Sequence, residues 1–104
     1  MDRGVRRGEI WLAQVGRKRR PVLVLTRSAV IEVRELVTVA EITTSIRGIA
    51  AEVSLEHEEL ARSSVVNCDG IHTLTQASLA VHVGAVSDAT MQEVCSAISY
   101  ALGC

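Results

Sequence analysis

An arginine that precedes a proline and a threonine at the end of a predicted strand are the residues best suited to chemistry on a phosphate. Arg20 stands directly before Pro21, and a proline holds its predecessor in an extended conformation. The charged, planar guanidinium suits a phosphate that gains charge in a transition state. Thr43 adds a hydroxyl donor if the two strand ends are neighbours. The alternative is that Arg20 is a surface charge and Thr43 an ordinary strand-end hydroxyl.

A run of four basic residues leads up to the proline. Residues 1–20 carry seven Arg or Lys and two acids, whereas residues 21–104 carry four Arg and ten acids, although the net charge is −1. Such asymmetry is typical of a segment that meets an anionic partner. Arg17, Lys18 and Arg19 are therefore candidates for phosphate contacts. The alternative is a hairpin tip that its charge keeps soluble.

Short strands must position these residues, because Val, Ile and Thr total 29 against nine Leu. The predicted strands are Glu9–Val15, Val22–Thr26 opened by Pro21, Leu36–Ile42, Ile49–Val53, Ser64–Cys68 continued by Ile71–Leu74, and Ala80–Gly84. Asp69-Gly70 is a turn or bulge signal inside the fifth strand. Six short strands in a chain of 104 residues indicate a small, partly closed antiparallel barrel.

Two helices are expected beside the strands. The segment Ser54–Arg62 has a capping Ser, acids in its first turn and Arg at its end, which predicts a short middle helix. The C-terminal segment, capped by Ser87 or Asp88 and ended by Gly103, predicts an amphipathic helix. Its apolar stripe is Met91, Val94, Cys95, Ile98, Ala101 and Leu102. The fold class is α+β, mainly β, in one domain over residues 1–104.

Several function classes are disfavoured by what the sequence lacks. It has no P-loop, dinucleotide-binding, nucleophile-elbow or zinc-protease motif. The three cysteines and three histidines lack metal-ligand spacing, so we expect free thiols and neither a metal nor a cofactor. No apolar run approaches the ~20 residues of a membrane helix, and no signal-type segment opens the chain. A cytoplasmic protein without a membrane partner is expected.

The order of several motifs resembles the MazF/PemK family of toxin endoribonucleases. The resemblance spans roughly residues 6–103. The segments that carry it are Gly8-Glu9-Ile10-Trp11, Arg20-Pro21-Val22-Leu23-Val24-Leu25, Val39-Ala40-Glu41-Ile42-Thr43-Thr44, Leu60 to Asp69, Ile71-His72-Thr73-Leu74, and Val83-Gly84-Ala85-Val86-Ser87 before the last helix.

The resemblance implies an SH3-like barrel of the CcdB/PemK type, a homodimer, and a toxin that a cognate antitoxin neutralises. It implies sequence-specific, metal-independent cleavage of mRNA, rRNA or tRNA, in which the ribose 2′-hydroxyl attacks to leave a 2′,3′-cyclic phosphate and a 5′-hydroxyl. Arg20 matches the arginine of the family's R-P-V-L-V motif, and Thr43 matches the threonine that closes the third strand. In this picture Arg20 stabilises the phosphorane and Thr43 hydrogen-bonds the phosphate.

One departure from the family concerns the general base. Many members have a longer loop between the first two strands, with a glutamate proposed as the base. Here only residues 16–19 intervene, without an acid, so Glu9, Glu41 and Asp69 are the available carboxylates. The candidates for RNA contacts are Arg17, Lys18, Arg19, Thr44, Asp69 and His72, whose ring stacks on a base or packs in the fold.

Two other functions suit the same barrel. A CcdB-like toxin poisons DNA gyrase by binding, and a degenerate member is an RNA-binding module without catalysis. The pairing of Arg20 with Thr43 favours the nuclease, because a gyrase poison does not need it. The missing loop acid leaves the binding module open.

Overall fold

Six strands, two α-helices and one 3-10 turn form the part of the chain described by the computed structural model, which is residues 4–56, 58 and 63–104. The strands are β1 (Glu9–Val15), β2 (Lys18–Val24), β3 (Leu36–Thr43), β4 (Glu52–Ser54), β5 (Val65–Thr75) and β6 (Leu79–Ala85). The helices are α1 (Ser28–Ile31) and α2 (Asp88–Leu102), and the 3-10 turn is Gln76–Ser78. The strands pair antiparallel in the order β4-β5-β3-β2-β1-β6.

Apolar side chains cover both faces of the sheet. Because successive side chains of a strand point to opposite faces, Ile10 and Trp11 enter different clusters. The buried members of the cluster under α2 are Ile10, Leu23, Ala40, Ile42, Val53, Leu55, Val66, Cys68, Met91, Val94 and Ala97. Those of the other cluster, which includes Ile31 of α1, are Val5, Trp11, Ala13, Val22, Val24, Ile31, Val37, Val39 and Leu79.

The second strand begins earlier than its proline. We predicted that Pro21 opens this strand, but β2 starts at Lys18 and pairs with β1 from that residue on. Proline has no backbone N–H to donate to a neighbouring strand, so it is confined to positions where the strand is not paired on both sides. Pairing of β2 with β3 begins only at Val22, so at Pro21 the strand has β1 as its single paired neighbour.

A bulge divides the long fifth strand. On β3, Ala40 and Glu41 are consecutive, whereas their partners on β5 are Ile71 and Asn67. Residues 68–70 are therefore extra on β5. The predicted turn or bulge at Asp69-Gly70 is a bulge, and the two predicted strand pieces on either side of it form one strand.

The C-terminal helix has the predicted start and end. Ser87 Oγ accepts a hydrogen bond from Thr90 N at 3.2 Å, and Gly103 stops the helix with a φ of 74°. Met91 and Val94 are buried, as the stripe predicts, together with Ala97. Cys95 and Leu102 of the predicted stripe are exposed, so the buried face is narrower than the pattern indicates.

The region between β3 and β5 departs most from prediction. The predicted strand Ile49–Val53 is confirmed only over its last two residues, because β4 is Glu52–Ser54. Residues 50 and 51 form a turn instead, and the carboxylate of Glu52 accepts hydrogen bonds from the Arg47 and Gly48 amides at 2.9 Å each. Ser54 ends β4 rather than capping a helix, and most of the predicted helix Ser54–Arg62 lies outside the described residues. The short helix α1 was not predicted.

Candidate active site

The register of β2 and β3 sets Arg20 and Thr43 opposite one another. Val22 pairs with Glu41, and the same antiparallel register, continued by two residues, leads to Arg20 and Thr43. Side chains two residues apart on a strand share a face, so Arg20 lies on the face of Glu41 and Thr43. A shared role of Arg20 and Thr43 required these two strand ends to be neighbours, and the structure brings the strand ends together.

Both side chains line one cleft at this end of the sheet. Its volume is about 570 Å³, and its lining combines basic, hydroxyl and apolar groups. The polar lining residues are Lys18, Arg19, Arg20, Thr43, Thr44 and Ser64, and the apolar ones are Ile10, Leu12, Pro21, Ile42 and Val83. Cations and hydroxyl donors beside an apolar wall suit a ligand with an anionic backbone and flat bases.

The hydroxyl of Thr43 is held by the turn that follows the strand. Ser45 N donates a hydrogen bond to Thr43 Oγ1 at 3.0 Å. This bond uses a lone pair of the hydroxyl and leaves its proton for donation. Thr43 is half-buried at the end of β3, so the hydroxyl remains open to a phosphate in the cleft.

Glu41 joins Arg20 to a histidine on β5. Arg20 Nε lies 3.5 Å from Glu41 Oε1, and His72 Nε2 lies 2.7 Å from Glu41 Oε2. The three side chains are 39%, 22% and 35% exposed in the order Arg20, Glu41, His72, so all of them reach solvent. The structure thus assembles a chain of three polar groups beside the cleft.

The other two candidate carboxylates lie elsewhere. Glu9 Oε1 accepts bonds from Arg6 N at 2.7 Å and Trp11 Nε1 at 3.2 Å, and its Oε2 is 3.3 Å from His82 Nε2. Asp69 is exposed on the bulge of β5, where its amide bonds to Asn67 Oδ1. Of the three, Glu41 is the carboxylate beside Arg20.

The basic run is part of a strand rather than of a loop. We predicted that residues 16–19 connect the first two strands, but the turn is formed by Gly16 and Arg17 alone. Lys18 and Arg19 belong to β2 and line the cleft, as does Thr44, whereas Arg17 is an exposed turn residue that does not. The connection is shortened because β1 and β2 pair to their ends, with Val15 opposite Lys18.

Two features of the site were not predicted. Ser64, which is 7% exposed, lines the cleft, and no motif in the sequence singles it out. The contact between Glu41 and His72 was also not predicted, although Glu41 stands two residues before Thr43 and therefore lies on the same face of the strand.

Among the described residues no three His, Cys, Asp or Glu side chains cluster as metal ligands. None of the described helices is long and apolar enough to cross a membrane.

Comparison with known proteins gives consistent matches. Residues 6–102 match the family model described as PemK-like, MazF-like toxin of type II toxin-antitoxin system. The probable endoribonuclease MazF5 of Mycobacterium tuberculosis (strain ATCC 25618 / H37Rv) is 40% identical, over 94% of this chain and 93% of the relative.

Solved structures agree in fold. The Mycobacterium tuberculosis toxin MazF-mt6 matches with a TM-score of 0.85 and 38% identity, over 91% of this chain and 96% of that one. An endoribonuclease from a mycobacterial species, solved in complex with its cognate antitoxin, matches with a TM-score of 0.87 and 28% identity, over 96% of each chain. These matches confirm the predicted fold class, a mainly β antiparallel sheet with a C-terminal helix.

Proposed function

The chain belongs to the PemK-like, MazF-like family of type II toxin–antitoxin toxins and is an endoribonuclease, and we propose that it cleaves RNA in the cleft between the start of β2 and the end of β3. The observation that carries the proposal is the meeting of Arg20 and Thr43 in this cleft. A phosphodiester bound there has a planar cation on one side and a hydroxyl donor on the other. The neighbouring Lys18 and Arg19 support the same location, because they add positive charge along the RNA backbone.

The proposed reaction is an internal transesterification. The ribose 2′-oxygen forms a bond to phosphorus, the bond from phosphorus to O5′ breaks, and the products are a 2′,3′-cyclic phosphate and a 5′-hydroxyl. Arg20 stabilises the negative charge that builds up on the phosphate oxygens, and the Thr43 hydroxyl donates a hydrogen bond to one of them. The chemistry needs no metal ion in this scheme, since the guanidinium supplies the positive charge.

Contacts to the rest of the RNA are assigned by location. Lys18, Arg19 and Thr44 line the cleft and contact phosphates next to the scissile one. Arg17 stands at the exposed turn and makes a more distant phosphate contact. Asp69 is exposed on the bulge of β5 and suits an amino group of a base, since a carboxylate accepts hydrogen bonds.

Two protein partners are also proposed. Relatives of this chain were solved with their antitoxins, among them the mycobacterial endoribonuclease above and a MazE-MazF complex from Deinococcus radiodurans. We infer a cognate antitoxin for this chain, and a homodimer as the form that binds it. The edge strand β6 supports a partner surface, because its Val81 and Val83 are 47% and 49% exposed. We place the activity in the cytoplasm, where the RNA substrates are.

Mapping of RNA ends tests the proposal. Purified protein is incubated with total RNA in EDTA, and new 5′-hydroxyl ends are sequenced. We expect cuts at a short sequence, which disappear in Arg20→Ala and persist in Arg27→Ala, an exposed arginine outside the cleft. Intact RNA with trapped gyrase would support the gyrase-poisoning function instead. Retention of RNA without cleavage would support the binding module.

A further inference from the structure

Side chains from three neighbouring strands form a connected group beside the cleft. Arg20 comes from β2, Glu41 from β3 and His72 from β5, and the carboxylate of Glu41 forms an ion pair with Arg20 and a hydrogen bond with His72. The proposed reaction uses Arg20, but it leaves the proton of the 2′-hydroxyl without an acceptor. The inference below rests on the proposed function, because a base is needed there only if the cleft holds a scissile phosphodiester.

The hydrogen bond to Glu41 fixes the form of the His72 ring. A carboxylate paired with an arginine is an acceptor only, so His72 Nε2 must donate its proton to Glu41 Oε2 across 2.7 Å. In the neutral ring the lone pair then lies on Nδ1. Within the described part of the chain no hydrogen bond to Nδ1 occurs, and the side chain is 35% exposed. The ring is thus held in one tautomer, and its side chain reaches solvent.

The local backbone makes room for this arrangement. Glu41 pairs with Asn67 and Val39 pairs with His72, and the bulge at residues 68–70 lies between those two pairs. Gly70 stands next to the carboxylate, where a Cβ would come within 3.2 Å of Glu41 Oε2 and 3.0 Å of Asn67 Nδ2. A side chain at position 70 would therefore crowd the group that orients the histidine.

We propose that His72 is the general base of RNA cleavage and that Glu41 is its positioning residue. His72 Nδ1 takes the proton of the 2′-hydroxyl while the 2′-oxygen bonds to phosphorus. The electron pair of the breaking bond goes to O5′, which takes a proton from water, and the proton on His72 returns to solvent. A base must come within about 3 Å of the hydroxyl that it deprotonates. Glu41 connects His72 to Arg20, and Arg20 binds the phosphate in the proposed reaction, so this connection favours a position of His72 near the scissile bond.

A second histidine–carboxylate pair in the chain provides a matched control. His82 Nε2 lies 3.3 Å from Glu9 Oε2, and its side chain is 49% exposed. This pair is on β1 and β6, and neither residue contacts Arg20, whereas Glu41 does. Replacement of His82 therefore removes a comparable histidine–carboxylate contact without touching the proposed base.

The test is single-turnover cleavage of an oligonucleotide that carries the mapped cut site. We expect H72Q to slow cleavage by about 10²–10⁴-fold and E41Q by on the order of 10–100-fold, whereas H82Q cleaves at the normal rate. Binding of the same oligonucleotide with a 2′-deoxy residue at the cut site should change less than about threefold in H72Q, because a base acts on the rate and not on affinity. Added imidazole should restore part of the activity of H72A.

The pH profile gives an independent readout. Protonation of His72 removes the base, so wild-type cleavage should fall on acidification, and this fall should be absent from the residual activity of H72Q. The charged groups that face His72 are Glu41 on β3 and, beyond it, Arg20 on β2, while Asp69 lies on its own strand. A loss of the acid limb in H72Q with its retention in H82Q supports the assignment.

Three outcomes overturn the inference. The first is wild-type cleavage by H72Q. The second is retained activity in H72F, which would mean that the ring stacks on a base. The third is a loss of RNA affinity that accounts for the whole loss of rate. Circular dichroism melting checks that each variant is folded, and imidazole rescue of H72A remains available if H72Q is not. An inactive Arg20→Ala beside an active H72Q rejects only the role of His72, whereas an active Arg20→Ala rejects the proposed function itself.

Discussion

Glu41 and His72 are 31 positions apart in the chain, yet Glu41 Oε2 lies 2.7 Å from His72 Nε2. The other oxygen of the same carboxylate is 3.5 Å from Arg20 Nε. One side chain of β3 therefore connects the arginine of the cleft with a histidine two strands away from it. The first contact depends on the register of β3 with β5 and the second on that of β2 with β3, so the contact with His72 ties the chemistry of the site to the bulge in β5.

Replacement of Thr43 by Val should slow RNA cleavage by roughly 10²-fold, because it removes one preorganised donor to the phosphate. Thr43→Ser keeps the hydroxyl and should stay within a few-fold of the normal rate. The measurement is single-turnover cleavage, with Thr73→Val, at an exposed position of β5, as the control. Normal cleavage by Thr43→Val would remove this residue from the mechanism.

The basic residues of β2 should control how RNA affinity depends on salt. Lys18→Ala with Arg19→Ala should reduce the slope of log affinity against log salt by roughly 0.7 per lost phosphate contact. Arg17→Ala should change the slope less, because Arg17 stands in the exposed turn outside the cleft. Anisotropy titrations of a non-cleavable oligonucleotide at several salt concentrations measure the slope. An unchanged slope in the double variant would mean that these charges serve solubility alone.

Glu52 should make folding stability depend on pH. Burial acts to raise its pKa, but hydrogen bonds from the Arg47 and Gly48 amides and the Arg47 guanidinium hold the pKa below the ordinary 4.5. A lowered pKa in the folded state stabilises the fold above pH 4.5, and this stabilisation is lost as the pH falls through the folded value.

Urea unfolding of Glu52→Gln tests this pH dependence. Its midpoint should be below that of the parent protein at pH 7, and the gap should narrow as the pH falls below 4.5. Glu93→Gln, on the exposed side of α2, should behave like the parent protein throughout. A gap that is constant with pH would contradict the role assigned to the Glu52 carboxylate.

Thiol labelling should distinguish the three cysteines. Burial, with smaller effects from Asp69 and Cys95, raises the pKa of Cys68 to about 11. Since the thiolate is the reactive form and Cys68 is 1% exposed, we expect it to resist a thiol reagent at pH 8 in the folded protein. Cys95 and Cys104 are exposed and free, so two thiols should react quickly, and one in Cys95→Ser. Rapid reaction of all three without denaturant would show that the core around Cys68 opens.

Strands and helices that short sequence patterns mark at both ends were predicted with their correct bounds. The alternation of β1 gave its bounds, and the cap at Ser87 with the stop at Gly103 gave those of α2. The helix α1 has four residues, which is too short for a helical period to be detected. We predicted too late a start for β2. Its Pro21 is tolerated inside the strand because β3 pairs with β2 only from Val22 on, and the local sequence does not show where that pairing begins.

Only the part of the site that local sequence signals mark was predicted. Arg20 and Thr43 each stand at a strand end beside a recognisable motif, and their strands are neighbours in the sheet. The contact of Glu41 with His72 depends on a bulge that shifts the register by three residues. Cross-strand registers of this kind are set by packing over the whole sheet, and no short segment of sequence encodes them.

RNA cleavage by Arg20 in the cleft is tested most directly with one oligonucleotide in two forms, with a ribose or a 2′-deoxyribose at the mapped cut site. We expect the protein to cleave only the ribose form, in EDTA, to a 2′,3′-cyclic phosphate, and Arg20→Ala to lower this rate by roughly 10²–10³-fold. Cleavage of the 2′-deoxy form, or cleavage of the ribose form by Arg20→Ala at the normal rate, would contradict it.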